Sequence, residues 1–318
     1  MNPTTPTVKI ISSGFIYESA PFPSCHASTL VETNSGILAS WFGGTHENHP
    51  DVSIYTSKLD NSSWSAPVMV ANGKESTETQ YATWNPVLFQ ANQKELVLFY
   101  KVGPTPQKWW GAYKTSQDEG QTWSEEITLP DGILGPIKNK AIQLSNGKIL
   151  YPSSLETEDR WTVHLETSDA DLGNWEKIAV DNQEFNAIQP TVLTYSTNNL
   201  QILCRTQDGK ISTSWSADTG KTWSPMQATN LINNNSGIDA VTLQNGYQLL
   251  ICNPIPKDRN KLSLLGSIDG VNWEELVVLE DQKKGEFSYP AIIQAKNGNL
   301  HITYTYNREK IKHVELSL

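Results

Sequence analysis

Only four arginines occur in the chain, Arg160, Arg205, Arg259 and Arg308, and each falls in or beside a polar, irregular stretch next to a β-favouring run. A guanidinium presents a rigid fork of N–H donors that matches a carboxylate two bonds at a time. Comparable stretches hold other reactive groups: GGTHENHPD carries His46, Glu47, His49 and Asp51, CHAST carries His26, IKNK carries Lys138 and Lys140, and FSYPAII carries Tyr289. A carboxyl group gives or takes a proton, and a phenol or imidazole acts as nucleophile or base when its surroundings favour the charge it must carry. His46, His49 and Asp51 have no recognised metal-ligand spacing, so no metal is assigned, and no residue pattern calls for a cofactor. These groups are far apart in the sequence. Some architecture has to bring them together.

Composition narrows what that architecture serves. A formal charge of −10 argues against sequence-independent nucleic-acid binding, which needs clustered Lys and Arg. Cys25, Cys204 and Cys252 are scattered without CxxC spacing, which suggests neither a disulfide framework nor a zinc site and points to a reducing compartment. MNPTTPTVKI lacks a basic stretch followed by an apolar one, and no apolar run approaches the roughly 18 residues of a membrane span. The expectation is a cytoplasmic protein with no membrane partner, in which the acceptor patterns Asn61-Ser62-Ser63 and Asn234-Asn235-Ser236 have no glycosylation role.

Pairs of β-favouring runs joined by short polar turns recur along the chain. STLVE pairs with ILASWF, NPVLF with ELVLFY, AIQL with KILYP, PTVLTY with LQILC, AVTL with YQLLI, and AIIQ with LHITYTY. The turns lie at Asn34 to Gly36, Asn92-Gln93, Asn146-Gly147, Asn198-Asn199, Asn245-Gly246 and Asn297-Gly298. Their period of about fifty residues marks a repeat architecture.

A second turn follows each hairpin. Ser116, Asp118, Gly120, Thr122 and Trp123 read S-x-D-x-G-x-T-W, and the pattern returns at Ser216, Asp218, Gly220, Thr222 and Trp223. Ser267, Asp269, Gly270 and Trp273 form a shortened copy, while Ser57 with Trp64 and Ser168 with Trp175 are worn ones. The aspartate is suited to accept backbone N–H bonds, the glycine to take positive φ, and the tryptophan to fill a wedge between sheets. These are Asp boxes, and through them the chain resembles the sialidase-like (BNR repeat) superfamily over essentially its whole length. The resemblance implies an all-β fold, one six-bladed β-propeller spanning residues 1–318. The last repeat supplies three clear strands, FSYPAIIQ, LHITYTY and KIKHVEL, so VKIISSGFIYE is the expected fourth, closing the ring and hiding its edges.

If each innermost strand starts at the top of the ring, the Asn-rich turns and Asp boxes lie at the bottom. The top then receives one group from each blade: His26, Trp84 with Asn85, Lys138 to Lys140, Gln189, Asp239 and Tyr289. Two lysines facing one channel repel each other, which suggests a bound anion. The loops between second and third strands add the Glu47 and Asp51 segment, Lys101 to Trp110, Glu156 to Trp161, Arg205, and Asp258-Arg259.

The resemblance also implies roles. Arg205 in ILCRTQDGK and Arg259 in IPKDRNK match two arginines of the family's carboxylate-binding triad, and Tyr289 matches its tyrosine nucleophile. Asp51 in HPDVSIY is similar to its acid/base aspartate, with Glu47 a nearby competitor. The family's first-blade Arg-Ile-Pro is absent, His26 standing there in CHAST, and Gln189 in IQPTV replaces the glutamate that partners the tyrosine. The leading expectation is a glycoside hydrolase acting on an acidic oligosaccharide, releasing a sialic or related nonulosonic acid or a uronic acid. The alternatives are a polysaccharide lyase, with His26 or Tyr289 removing the proton beside a uronate carboxylate, and a propeller that binds acidic sugar without turnover.

Overall fold

The second strand of each repeat is buried along most or all of its length: all of Leu96–Val102, Leu200–Thr206 and Gln248–Cys252, and nearly all of Gly36–Gly44. A sheet apolar on both faces needs cover on both, and sheets stacked radially in a ring supply it to one another. The computed structural model describes residues 4–60, 62–90 and 95–318, and shows six such sheets with no helix among them. Asn92-Gln93 and Asn61 lie outside the described residues.

From the axis outward, the first blade runs Ser24–Thr33, Gly36–Gly44 and Ser53–Asp60, with an outer strand broken into Ser63–Trp64 and Val68–Ala71 around Pro67, which has no N–H to offer a ladder. The second runs Thr83–Gln90, Leu96–Val102, Trp110–Ser116 and Ile127–Thr128. The third runs Ile142–Gln143, Ile149–Glu156, Trp161–Ser168 and Glu176–Ala179, and the fourth Ala187–Thr194, Leu200–Thr206, Lys210–Ser216 and Gln227–Ile232. The fifth runs Asp239–Thr242, Gln248–Cys252, Lys261–Ser267 and Glu274–Asp281. Phe287–Gln294, Leu300–Tyr306 and Lys310–Ser317 make the last blade with Lys9–Phe15, which pairs from Lys9 opposite Ser317 to Phe15 opposite Lys312. The ring is thus closed by both ends of the chain. One small hairpin, Gly73–Lys74 with Gln80–Tyr81, was not legible as a strand pair in the sequence.

Six apolar clusters, one at each junction between neighbouring blades, form the core. Each box tryptophan packs on one of them: Trp64 between blades six and one, Trp123 between one and two, Trp175 between two and three, Trp223 between three and four, and Trp273 between four and five. The last blade has no box because its fourth strand comes from the other end of the chain. At that junction Tyr247, Phe287 and Tyr304 fill the wedge instead.

The boxes themselves are closed by hydrogen bonds. The Asp118 carboxylate accepts from Thr122 N (2.8 Å), Thr122 Oγ1 (2.5 Å) and Ser116 Oγ (2.8 Å), while Ser116 Oγ accepts from Gly120 N at 2.8 Å. Asp218 repeats this with Thr222 and Ser216. The Thr122 and Ser116 bonds hold the Asp118 carboxyl at about 2, below the ordinary 3.8. A carboxyl whose pKa falls on folding stabilises the protein above its unfolded pKa, and that contribution is lost as pH falls through the folded value. Asp118→Ala is therefore expected to lower Tm at neutral pH, with the gap to wild type narrowing below about pH 4. Thermal unfolding followed across that range checks it, and a gap that stays constant contradicts it.

Candidate functional site

Near the start of five innermost strands one non-glycine residue adopts the left-handed conformation: Ala27 (φ 56°), Asn85 (42°), Lys138 (67°), Gln189 (55°) and Tyr289 (51°). The ladder slips at the same place, between His26 and Thr29, Ile188 and Thr191, and Ser288 and Ala291. Each such bulge re-aims side chains at a cost of about 1–3 kcal/mol. Pro86, Pro190 and Pro290 follow three of the five, and a proline in an inner strand is tolerated at a bulge. In the fifth blade the matching position is Gly237. A Cβ there would lie 3.1 Å from Tyr289 Cδ2 and 3.2 Å from Lys138 Cε, so the bare glycine makes room for both.

The bulges converge on Tyr289. Its hydroxyl accepts a 2.6 Å hydrogen bond from Arg205 Nη1, which also donates to Gln189 Oε1 at 3.2 Å, while Arg205 Nε donates to Asn235 Oδ1 at 3.0 Å. Gln189 Nε2 stands 3.5 Å from the same hydroxyl. The Tyr289 ring centroid lies 4.0 Å from that of His26, 5.6 Å from Arg205 Cζ, 5.8 Å from Arg259 Cζ and 5.9 Å from Lys138 Nζ. Trp161 covers the Arg205 guanidinium at 5.4 Å. Groups from the first, third, fourth and fifth blades therefore meet around a phenol of the sixth.

His26 is buried; its Nδ1 is 2.9 Å from Thr305 Oγ1 and its Nε2 has no partner. Burial, then the charges of Arg308, Arg259, Arg205 and Lys138, hold its pKa well below the ordinary histidine value. Both favour the uncharged ring. Lys138 crosses under Tyr289, donating to Asn139 Oδ1 (3.0 Å), Ile238 O (2.7 Å) and Pro290 O, and burial pushes it down to about 7.

Arg308 and Glu286, the latter given no role from sequence, complete this surround. Arg308, itself left-handed at φ 61°, donates through Nε to Glu286 Oε1 at 2.8 Å and through Nη1 to Glu47 Oε2 at 2.5 Å. Glu286 Oε1 also accepts from Arg259 Nη1 at 2.9 Å. Burial raises the Glu286 carboxyl, yet the Arg308 and Arg259 guanidiniums outweigh it and hold it below its ordinary value. A chain of ion pairs, Glu47 to Arg308 to Glu286 to Arg259, thus links loops of the first, sixth and fifth blades.

Other expected site residues sit differently. Lys140 is engaged by Asp239 at 2.7 Å and by Ala240 O at 2.8 Å, so mutual repulsion of the lysines is relieved within the protein and needs no bound anion. The Asp239 carboxylate further accepts from Thr191 Oγ1 (2.9 Å), Ala240 N (2.9 Å) and Ile292 N (2.9 Å), which makes it a clasp between blades four, five and six. Trp84 is buried, its indole N–H donating to Gly103 O at 2.9 Å, and Asn85 is buried beside it. Asp51 is half-exposed and closes its own loop, accepting from Thr45 N at 3.0 Å and Thr45 Oγ1 at 2.6 Å, with His49 Nδ1 at 2.8 Å. What burial raises, the Thr45 bonds and His49 more than reverse, so its carboxyl lies below its ordinary value.

Six blades, Asp boxes between their outer strands and an axial cluster of this kind define a sialidase-like β-propeller. The chain belongs to the BNR repeat-like domain family, which it matches over residues 35–302. A protein of unknown function from Dyadobacter fermentans superposes with a TM-score of 0.81 at 15% identity, covering 99% of this chain and 100% of that one. The NanB sialidase of Streptococcus pneumoniae gives 0.76 at 13% identity over 99% of this chain and 71% of that one. The Trypanosoma rangeli sialidase solved with sialic acid gives 0.71 at 17% identity, and there the match spans 99% of this chain and 59% of that one. No curated protein sequence matches significantly.

Removing one partner of a buried ion pair strands the other charge, at a cost of about 3–5 kcal/mol. Asp239→Ala is expected to lose stability on that scale through Lys140, measured by urea unfolding. A loss within about 0.5 kcal/mol, the range of ordinary surface substitutions, would show that Asp239 is not the clasp described.

Proposed function

We propose that this protein is a glycoside hydrolase that releases an acidic sugar, a nonulosonic or uronic acid, from an oligosaccharide. The observation that carries the reading is the Arg205 guanidinium bonded to the Tyr289 hydroxyl, within a surround that also holds Arg259 and Lys138. Because Arg205 donates to the phenol oxygen, the phenol's own proton points elsewhere, and negative charge developing on that oxygen is met by a preorganised cation. A phenol oxygen so placed is suited to attack, or to stabilise, an oxocarbenium-like centre. The same arginines give a carboxylate ligand its bidentate partners, and they select for an acidic sugar over a neutral one.

A panel of 4-nitrophenyl glycosides of nonulosonic and uronic acids is the direct assay. Hydrolysis without an ultraviolet-absorbing unsaturated sugar supports the proposal, and an unsaturated product assigns a lyase instead. Tyr289→Phe keeps the ring and its packing and is expected to lower kcat by at least about a hundredfold with little change in Tm. Arg205→Ala and Arg259→Ala are each expected to weaken binding of the free acidic sugar by roughly 2–5 kcal/mol in calorimetric titration. Wild-type affinity in both variants would remove the carboxylate pocket from the argument.

A further inference from the structure

Several carboxyl groups at this end of the propeller already have partners: Asp239 has Lys140, Glu286 has Arg259 and Arg308, Glu47 has Arg308, and Asp51 has Thr45 and His49. Glu156 does not. Among the described residues its carboxyl makes no hydrogen bond or ion pair, although it is half-buried. It ends the second strand of the third blade, directly opposite Trp161 in the antiparallel register. Residues opposed in this way carry their side chains on one face of the sheet. Trp161 is the ring that covers Arg205, so Glu156 lies on the Arg205 side of its blade. Burial raises its pKa above the ordinary value against the pull of Arg205, and Glu47 adds a like-charge push. A half-buried carboxyl whose proton is held more tightly than usual is suited to act as a general acid.

We infer that Glu156 is the carboxyl that gives and retakes the proton in glycoside cleavage, the role that the family resemblance implies for Asp51, with Glu47 its competitor. The inference rests on the glycosidase reading above. As the bond from the anomeric carbon to the glycosidic oxygen breaks, Glu156 protonates that oxygen and the aglycone leaves as an alcohol. The Tyr289 oxygen bonds to the anomeric carbon, its proton passing to water. In the second half the Glu156 carboxylate takes a proton from the attacking water, the new bond from water oxygen to carbon forms, and the Tyr289 oxygen leaves and regains a proton from solvent. Glu156 and Tyr289 end as they began.

The test compares wild type and Glu156→Gln on two glycosides of the same acidic sugar, one methyl and one 4-nitrophenyl. A methoxide leaving group needs the proton and 4-nitrophenolate does not. The variant is expected to lose at least about a hundredfold in kcat/KM on the methyl glycoside and less than about tenfold on the other. Wild-type kcat/KM is expected to fall on the alkaline side with an apparent pKa above the ordinary glutamate value, and the variant to lack that limb. Glu156→Asp, which keeps the acid one methylene shorter, should retain the limb at reduced rate, and it serves if the glutamine variant fails to fold. Wild-type turnover with unchanged leaving-group dependence and pH profile in Glu156→Gln overturns the inference alone, as does the same signature appearing in Asp51→Asn instead. No turnover of any panel glycoside by wild type overturns the glycosidase reading and this inference with it.

Discussion

Side chains of a β-strand stand perpendicular to the sheet, so in a ring of radial blades they meet the neighbouring blades, and the axial channel sees only the edge of each innermost strand. A side chain reaches the axis where the pleat is broken. The left-handed residues at Ala27, Asn85, Lys138, Gln189 and Tyr289 are those breaks, repeated near the same end of successive blades. Without them Tyr289 would pack into the wedge between blades and Lys138 would have no path to carbonyls of the fifth and sixth blades. The strain is borne by the apolar junctions: six buried clusters over-determine where each strand starts, so a bulge that is unfavourable in isolation becomes the only conformation the surrounding sheets accept.

Bringing cations together at one mouth has its own cost, and the loops offset it locally. Glu286 sits between Arg259 and Arg308, and Glu47 takes the other end of Arg308. Arg205 has no carboxylate of this kind; its guanidinium is spread over the neutral acceptors Tyr289, Gln189 and Asn235 and under the Trp161 ring. No carboxylate is hydrogen-bonded to it, and it is the arginine bonded to the phenol. His26, next to the same ring, responds to the field as a buried imidazole must. It stays neutral and gives up any role that needs imidazolium.

The fold was legible because its determinants are local and repeated. An Asn-rich turn fixes a hairpin, and S-x-D-x-G-x-T-W fixes both a turn and the tryptophan that wedges two blades; the shortage of strands in the last repeat forced the N-terminal segment into it. The convergence of His26, Gln189, Arg205, Arg259 and Lys138 on Tyr289 followed from strand order alone. Charge pairing did not, because it depends on contacts between residues some hundred or more positions apart, such as Lys140 with Asp239 and Glu47 with Arg308. The same limit applies to Glu156, since only the cross-strand register sets it opposite Trp161, and a loop read as a block does not reveal which of its members face inward. A usable signal was present in Asn85-Pro86, Gln189-Pro190 and Tyr289-Pro290. A proline inside a strand is confined to an edge or a bulge, and here each of these prolines follows a left-handed residue at a bulge.

Gln189 concentrates the consequences of these limits. It occupies the position where the family resemblance leads one to expect a glutamate, and its amide bridges Arg205 and the neighbourhood of the Tyr289 hydroxyl. A carboxylate there would accept the phenol's proton and at the same time cancel the Arg205 charge. The amide does neither, because its oxygen accepts from the guanidinium without neutralising it and its nitrogen has no lone pair free to act as a base. The site thereby keeps the Arg205 charge beside the phenol oxygen, but gives up a proton acceptor at that point. In the proposed reaction the proton transfer falls to another carboxyl, and Glu156, opposite Trp161 in the third blade and without a hydrogen-bonded partner among the described residues, is the one inferred for it.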